Sequence, residues 1–174
     1  TECTDYEFVV HAVCDGEPSI PTEIYYFTTK GCGACLDFSY CTTNAANSNF
    51  EWIERIQLSS LDNLSGNNGG YAIFDDESTN LVIGNYYPLV ITPGFSSWPY
   101  EEYYMVWIDL NQNGAFETNE AIYDSNFPTS SAAESIIYIP ETVLPGSTRM
   151  RVMMKYLLPP YSSCSNNFYG EIEE

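Results

Sequence analysis

Residues 109–120 carry oxygen donors at the spacing of a cation-binding loop. The segment fits the pattern D-x-[DN]-x-[DN]-G-x5-E at every defined position, with Gly114 in the glycine position. Ca²⁺ takes roughly six to eight oxygen ligands, so a chain that binds it must turn sharply around one point and present oxygens at alternate positions. The sequence therefore predicts a calcium site whose ligands are Asp109, Asn111, Asn113, the Ala115 carbonyl and a bidentate Glu120.

The flanks of this segment differ from a helical calcium-binding hand. Residues 103–108 have the pattern of a strand, and no helix is evident after Glu120, so the loop is expected to lie between strands. An Asn- and Gly-rich hairpin without metal is the alternative, although a turn does not require the terminal Glu. Two carboxylates and two neutral amides give few charges, so we expect a modest affinity like that of extracellular modules.

Six cysteines, an even number, indicate an oxidising compartment and up to three disulfides. Cys41 and Cys164 bracket the expected sandwich and are predicted to pair. The order of pairing among the others is open, and these are Cys3, Cys14, Cys32 and Cys35. The last two have the spacing of a redox motif, but no strand followed by a helix surrounds them, so a structural role is favoured.

No constellation in the sequence indicates an enzyme. His11 is the single histidine, which excludes sites built from several His, and no spacing singles out a catalytic pair among the 24 Asp and Glu. We therefore expect a protein without catalytic activity. Four neighbouring aromatic residues offer either a sugar-stacking platform or ordinary packing, namely Trp98, Tyr100, Tyr103 and Tyr104.

The net charge of −19 argues against two classes of partner, because it repels both nucleic-acid phosphates and anionic membrane surfaces. No apolar run is long enough to span a bilayer, so no membrane span is expected. The chain opens at Thr1 without a signal segment and resembles a processed, exported product. The expected location is extracellular or at the cell surface.

Short runs rich in Val, Ile, Tyr and Thr, separated by Gly, Pro, Asn and Ser, predict an all-β fold, an antiparallel β-sandwich or jelly-roll-like domain with an N-terminal extension strand. A cysteine- and glycine-rich stretch interrupts this pattern near residues 30–41. We therefore divide the chain into an N-terminal strand segment with a Cys-rich linker, residues 1–40, and a sandwich, residues 41–174. Strands are predicted at 5–13, 23–28, 52–58, 71–74, 86–92, 103–109, 135–139 and 148–156.

Several motifs, in order, resemble the GEVED domain. They lie at residues 41–49, 51–53, 65–71, 107–114, 146–152 and 169–174, the last reading Tyr-Gly-Glu-Ile-Glu-Glu. The resemblance implies a β-sandwich module of secreted bacterial proteins, often appended to proteases, adhesins or other surface proteins. The activity of the family is poorly defined, so the resemblance implies location and fold more than chemistry.

The resemblance also implies a missing strand. Family members usually continue into a closing strand of alternating apolar residues, whereas this chain ends at Glu174, which predicts an exposed edge or groove. Residues 5–13 resemble that strand, with one face formed by Tyr6, Phe8, Val10 and Ala12. This segment either folds back within its own chain or enters a neighbouring subunit and links chains into a homo-polymer.

Two functions follow from the sequence. The first is a calcium-stabilised structural subunit of an extracellular filament or surface assembly, linked by strand donation. The alternative is a secreted accessory module that binds a glycan or a surface protein.

Overall fold

The computed structural model describes residues 5–14, 17–28 and 40–174. The chain divides into two compact units, Thr1–Asp37 and Phe38–Glu174. The predicted all-β class is confirmed, because the described residues form strands and a single short 3-10 helix, Thr118–Glu120.

The first unit is one long, irregular hairpin. Its strands are β1 (Asp5–Phe8), β2 (Val13–Cys14), β3 (Glu17–Pro18) and β4 (Tyr25–Thr28). β1 pairs antiparallel with β4, and β2 pairs with β3. Between the pairs, the Thr22 N–H donates to the Val10 carbonyl (3.0 Å) and the Ser19 N–H donates to the Ala12 carbonyl (2.7 Å). The predicted strand 5–13 is therefore one arm of a hairpin, interrupted over residues 9–12.

The second unit contains two sheets. Its strands are β5 (Glu51–Leu58), β6 (Leu61–Asn63), β7 (Tyr71–Ala72), β8 (Tyr86–Phe95), β9 (Glu102–Ile108), β10 (Ala121–Asp124), β11 (Ala133–Tyr138), β12 (Met150–Tyr156) and β13 (Gly170–Glu173). One sheet has the order β10-β9-β12-β13-β7, and the other has the order β11-β8-β5-β6. All pairs are antiparallel except β13 with β7.

The main core lies between these two sheets, as expected for a sandwich. Alternate residues of each strand face inward, for example Ile53 of β5 and Val106 of β9. A second, smaller core covers the outer face of the five-stranded sheet, where Trp107, Met153 and Ile172 pack against loop residues such as Phe116. β9 and β12 are therefore buried on both faces, which explains their nearly continuous apolar sequences.

The open edge expected at the end of the chain does not lie beside β13. This strand pairs with β12 on one side and, at Ile172 and Glu173, with β7 on the other. The outermost strands of the two sheets are β10 and β7 in one and β11 and β6 in the other. β11 is the longest of these four edges, with six residues.

Strand β8 continues to Phe95, three residues beyond the predicted end at residue 92, although the extension contains a proline and a glycine. Pro93 has no N–H to give to the ladder, and β5 accommodates it with a register shift between Ile53 and Arg55. Gly94 lies under the Trp52 ring, because a Cβ there would stand 2.2 Å from Trp52 Nε1. The proline and glycine therefore mark a bulged strand with a close contact. Three strands of the second unit were not predicted, namely β6, β10 and β13.

Cys41 and Cys164 form a disulfide with an S–S distance of 2.03 Å, the pair predicted from the sequence. It closes a sequence separation of 123 residues and joins the start of the second unit to the loop before β13. Cys3, Cys32 and Cys35 lie outside the described residues, and so does the side chain of Cys14.

Candidate calcium loop and the buried carboxylates around it

The predicted calcium loop connects two neighbouring strands of the five-stranded sheet. β9 ends at Ile108, the 3-10 helix Thr118–Glu120 closes the loop, and β10 begins at Ala121. The expectation of a loop between strands is confirmed. Gly114, with φ of +82°, provides the left-handed turn that the pattern requires.

Asp109 begins the loop as a completely buried side chain. Its carboxylate accepts hydrogen bonds from the backbone N–H groups of Asn113 (3.1 Å) and Gly114 (2.9 Å). The Tyr40 hydroxyl donates a third bond, with an O···O distance of 2.7 Å. The backbone therefore curls around the first carboxylate.

Glu120 ends the loop and is buried in the same way. Its Oε1 accepts from the N–H groups of Leu110 (2.9 Å) and Asn111 (3.1 Å), and its Oε2 accepts from the N–H of Glu117 (3.0 Å). The last residue of the pattern thus returns to contact the residues that follow Asp109. The structure brings the two ends of the predicted ligand set into one compact loop.

The two asparagines lie between these ends on exposed positions. The Asn111 side-chain oxygen accepts from the Asn113 N–H (3.0 Å), and the Asn113 oxygen accepts from the Ala115 N–H (2.9 Å). These contacts fix the orientation of both amides at alternate positions. All five predicted ligand residues therefore lie in the same short turn.

Two residues that contact the predicted ligands were not predicted as part of the site. Glu117, at the ninth position of the pattern, accepts from Asn111 Nδ2 at 2.9 Å. That position often binds calcium through water, so the sequence pattern contained this signal. Tyr40 lies 69 residues before Asp109, and no local pattern connects the two.

The carboxylates of Asp109 and Glu120 have no cationic side-chain partner among the described residues, whose ion pairs all involve other acids. Burying a carboxylate without a counter-charge is unfavourable. No cluster of three or more His, Cys, Asp or Glu suited to a metal occurs in the described part of the chain. The loop's donor set is two carboxylates, two neutral amides and a carbonyl, an all-oxygen set that fits calcium by its chemistry.

The glutamates of the final motif connect the two sheets. Glu171 on β13 accepts from the N–H of Ile53 on β5 (2.9 Å) and from the N–H of Asn68 (2.6 Å). Glu173 accepts from the Ser65 hydroxyl and from Asn63 Nδ2 (3.2 Å). Burial raises the pKa of Glu173 to about 8. These acids are therefore internal hydrogen-bond acceptors rather than surface charges.

Glu174 and Arg151 form a buried ion pair beside the disulfide. Arg151 Nε donates to Glu174 Oε1 at 2.7 Å. Its terminal nitrogens donate to the carbonyls of Cys41 (3.0 Å) and Ser163 (2.6 Å). The guanidinium also lies 4.7 Å from the centre of the Phe116 ring, next to the calcium loop. Arg151 thus connects β12, the disulfide and the loop.

The four aromatic residues of the predicted platform do not stay together. Tyr104 is fully buried in the main core, whereas Trp98 is exposed. Tyr100 and Tyr103 instead line a surface groove with a volume of about 410 Å³. The other residues of the groove are Pro99, Glu101, Pro128, Tyr156 and Leu157.

Comparison with known proteins gives one match. The GEVED domain model matches residues 103–174, which include the calcium loop and the final glutamate motif, while the motifs of residues 41–71 lie outside the match. Neither the curated proteins nor the solved structures contain a match. Within residues 5–14, 17–28 and 40–174, no helix has the length and apolar character to cross a membrane. The resemblance seen in the sequence is thus confirmed over β9 to β13, where this chain matches the GEVED domain family.

Proposed function

We propose that this protein is a non-catalytic, structural subunit of an extracellular bacterial filament or surface assembly, stabilised by calcium and linked by N-terminal strand donation into the next subunit. The observation that carries the proposal is the N-terminal hairpin, which leaves apolar side chains uncovered. Val10 is 55% exposed and Ile20 is 91% exposed. Several large apolar side chains exposed in one short segment are typical of an interface.

The architecture of the hairpin supports the same proposal. Its described strands form only two-stranded sheets. An isolated two-stranded hairpin is marginally stable in water and gains stability by adding to a larger sheet. Burying each apolar side chain of the arm that carries Tyr6, Phe8 and Val10 contributes about 1.5–3 kcal/mol before ordering costs.

Strand β11 offers the most suitable receiving edge. It has six residues, and one side of it is outermost in its sheet. Ile136 on β11 is exposed, and Tyr138 packs against Tyr86 with ring centres 4.7 Å apart. A donated strand gains main-chain hydrogen bonds from such an edge and side-chain contacts from such a face. Because β1 already pairs with β4, we propose that the hairpin is donated as a unit.

Replacing Val10 with Asp in the full chain should prevent assembly, because a charge would then enter the apolar contact. Leu64→Asp is the matched control, since Leu64 is exposed in the loop after β6. Light scattering coupled to size-exclusion chromatography and electron microscopy provide the readout. Assemblies of the unaltered chain and of Leu64→Asp, together with discrete Val10→Asp monomers, would support strand donation. An unaltered chain that remains monomeric at high concentration would reject it.

Calcium should raise the melting temperature of the chain, because only the folded loop gathers Asp109, Asn111, Asn113 and Glu120. A ligand that binds only the folded state adds about 2.7 kcal/mol when its concentration is about 100 times Kd. Glu120→Gln should reduce this increment by the part that the loop contributes, because a neutral amide cannot act as a bidentate carboxylate.

The readout for calcium is the change in melting temperature between excess calcium and excess chelator. This difference separates metal binding from the loss of the backbone hydrogen bonds that Glu120 also accepts. Glu77→Gln, at an exposed position, controls for weak association of calcium with the acidic surface. The calcium proposal fails if Glu120→Gln and Glu77→Gln retain the same increment as the unaltered chain.

The groove beside Tyr100, Tyr103 and Tyr156 favours a second candidate, a carbohydrate- or protein-binding accessory module. Aromatic side chains with polar edges are common where sugars or proteins bind. A saccharide or peptide that perturbs the signals of these tyrosines in a monomeric chain would favour this candidate. If the saccharide or peptide still binds to the Tyr103→Ala variant, the groove is not its binding site.

A further inference from the structure

Two glutamates face the main core from opposite sheets at one end of the sandwich. Glu51 begins β5 and shares the inward face of Ile53, whereas Glu102 begins β9 and shares the inward face of Tyr104. Glu51 is 3% exposed and Glu102 is 0% exposed. Side chains of this kind are almost never buried to this extent without a partner.

The polar atoms at this end of the core have no hydrogen-bond partner among the described residues. Both carboxylate oxygens of Glu102 and the hydroxyl of Tyr104 are buried and unsatisfied. None of the described ion pairs includes Glu51 or Glu102. Native interiors satisfy nearly all such groups, so a set of three unsatisfied oxygens in one place indicates a missing partner.

The protonation equilibria show that these groups act on one another. Burial and then the charge of Glu51 raise the pKa of Glu102 to about 8. Burial raises the pKa of Glu51 to about 7. Burial, followed by the charge of Glu102, also raises the pKa of the Tyr104 hydroxyl. The two carboxylates and the phenol therefore form one electrostatic cluster.

Aromatic side chains close this end of the sandwich. Phe95 lies opposite Glu51 in the β5–β8 ladder, and Tyr156 lies opposite Glu102 in the β9–β12 ladder, so each shares the inward face of its glutamate. Tyr100 connects them, with ring centres 6.4 Å from Phe95 and 5.6 Å from Tyr156. The covered position favours a small ion over a ligand with a bulky substituent.

We propose that Glu51 and Glu102 bind a divalent metal cation between the two sheets, with the Tyr104 hydroxyl as a neutral ligand. The donors are all oxygen atoms, which suits hard cations such as Ca²⁺. One dication neutralises both carboxylates and satisfies the three unpartnered oxygens. Water completes the coordination shell. This site is separate from the loop of residues 109–120 and does not depend on it.

The test uses the full chain with Glu120→Gln, which removes the bidentate ligand of the loop. Calorimetric titration with Ca²⁺, Mg²⁺ and Mn²⁺ at physiological ionic strength should still show one site per chain. Adding Glu102→Gln should weaken that binding by more than about 100-fold, since even the outer partners of a metal ligand change affinity by about 10- to 100-fold. Glu77→Gln added in its place should leave the titration unchanged.

Thermal unfolding distinguishes the cation from a proton shared by the two acids. In excess chelator, Glu102→Gln should raise the melting temperature, because it removes a buried carboxylate without a counter-charge. In excess calcium the same substitution should lower it, because it removes a metal ligand. A rise of equal size in both conditions, or a Glu120→Gln chain that binds none of the three cations, overturns the proposal. Glu51→Gln provides a second variant with the same expected reversal of sign.

Discussion

Gly170→Ala should leave the second unit largely unfolded under conditions in which the unaltered chain is folded. Gly170 has φ of +131°, and a Cβ there would stand 2.1 Å from the Met154 carbonyl oxygen and 2.9 Å from its carbon. Both contacts are with backbone of β12, the central strand of the five-stranded sheet, so a side-chain rotation cannot relieve them.

The expected loss is large because Gly170 starts β13. Its N–H donates to the Asn47 carbonyl at 3.1 Å, and Glu171 and Glu173 follow directly. Displacing this residue would also move the two acids that connect the sheets. We expect the free energy of unfolding to fall by more than about 4 kcal/mol, the range reserved for disruption of special backbone conformations and of the core.

Gly66→Ala is the matched control for this prediction. Gly66 also has a positive φ, +66°, but no atom lies within 4 Å of the position its Cβ would take. The free energy of unfolding of Gly66→Ala should fall by only about 1–2 kcal/mol, the cost of a left-handed backbone conformation for alanine. Chemical denaturation of both variants gives the comparison. Equal losses would mean that the close approach of Gly170 to β12 has no energetic consequence.

The loop at residues 109–120 lies between strands as the sequence predicted, and calcium binding there stays a prediction. The ligand pattern lies within residues 109–120, and the hydrogen bonds that join these residues to one another span at most ten positions, as between Glu120 and Leu110. The bond from Tyr40 to Asp109 spans 69 positions and was not predicted. Of the two strands that flank the loop, β9 was predicted from its strand composition, whereas the short strand β10 was not. Contacts within a short segment can be predicted from its sequence, because they do not depend on how distant parts of the chain pack.

The buried acids could not be predicted in the same way. In the sequence, Glu171 and Glu173 belong to an acidic chain end that is typical of a solvated surface. Their partners lie far away in sequence, as with the Ile53 N–H, 118 residues before Glu171. The same is true of Glu51 and Glu102, which only the sandwich brings together. Long-range pairing therefore decides whether an acidic residue is solvated or internal.

The N-terminal strand illustrates a third case. Alternating apolar residues predicted a strand over residues 5–13, but alternation does not identify the strand that pairs with it. The structure pairs β1 with β4 in the same chain. The hairpin remains compatible with donation because it still presents an apolar surface.

Arg151→Met should destabilise the second unit strongly, because it removes the buried cation beside Glu174 and leaves the partly exposed Arg149 as the remaining partner of that carboxylate. The side chains of Arg151 and Glu174 are both 1% exposed, and the arginine also donates to the carbonyls of Cys41 and Ser163. Methionine fills a similar volume but donates to none of them. Removing one partner of a buried ion pair typically costs about 3–5 kcal/mol when the other charge stays unpaired in the interior, and the contact of Arg149 with Glu174 at 3.3 Å places the expected loss at the lower end of this range.

Arg55→Met provides the matched control on the surface of the same sandwich. Arg55 pairs with Asp62 through two hydrogen bonds of 2.5 Å, yet both side chains are well exposed. Water compensates the loss of such a pair, so we expect the melting temperature to change little.

Arg151→Lys separates charge from geometry at the buried position. Lysine keeps the positive charge beside Glu174, but it lacks the planar fork that reaches both backbone carbonyls. We therefore expect a loss of stability smaller than that of Arg151→Met and larger than that of Arg55→Met, measured by thermal and chemical unfolding with the disulfide intact. If Arg151→Met were tolerated as well as Arg55→Met, Arg149 alone would compensate the Glu174 carboxylate, and the Arg151–Glu174 pair would not be what holds the end of β13 against β12 and the disulfide.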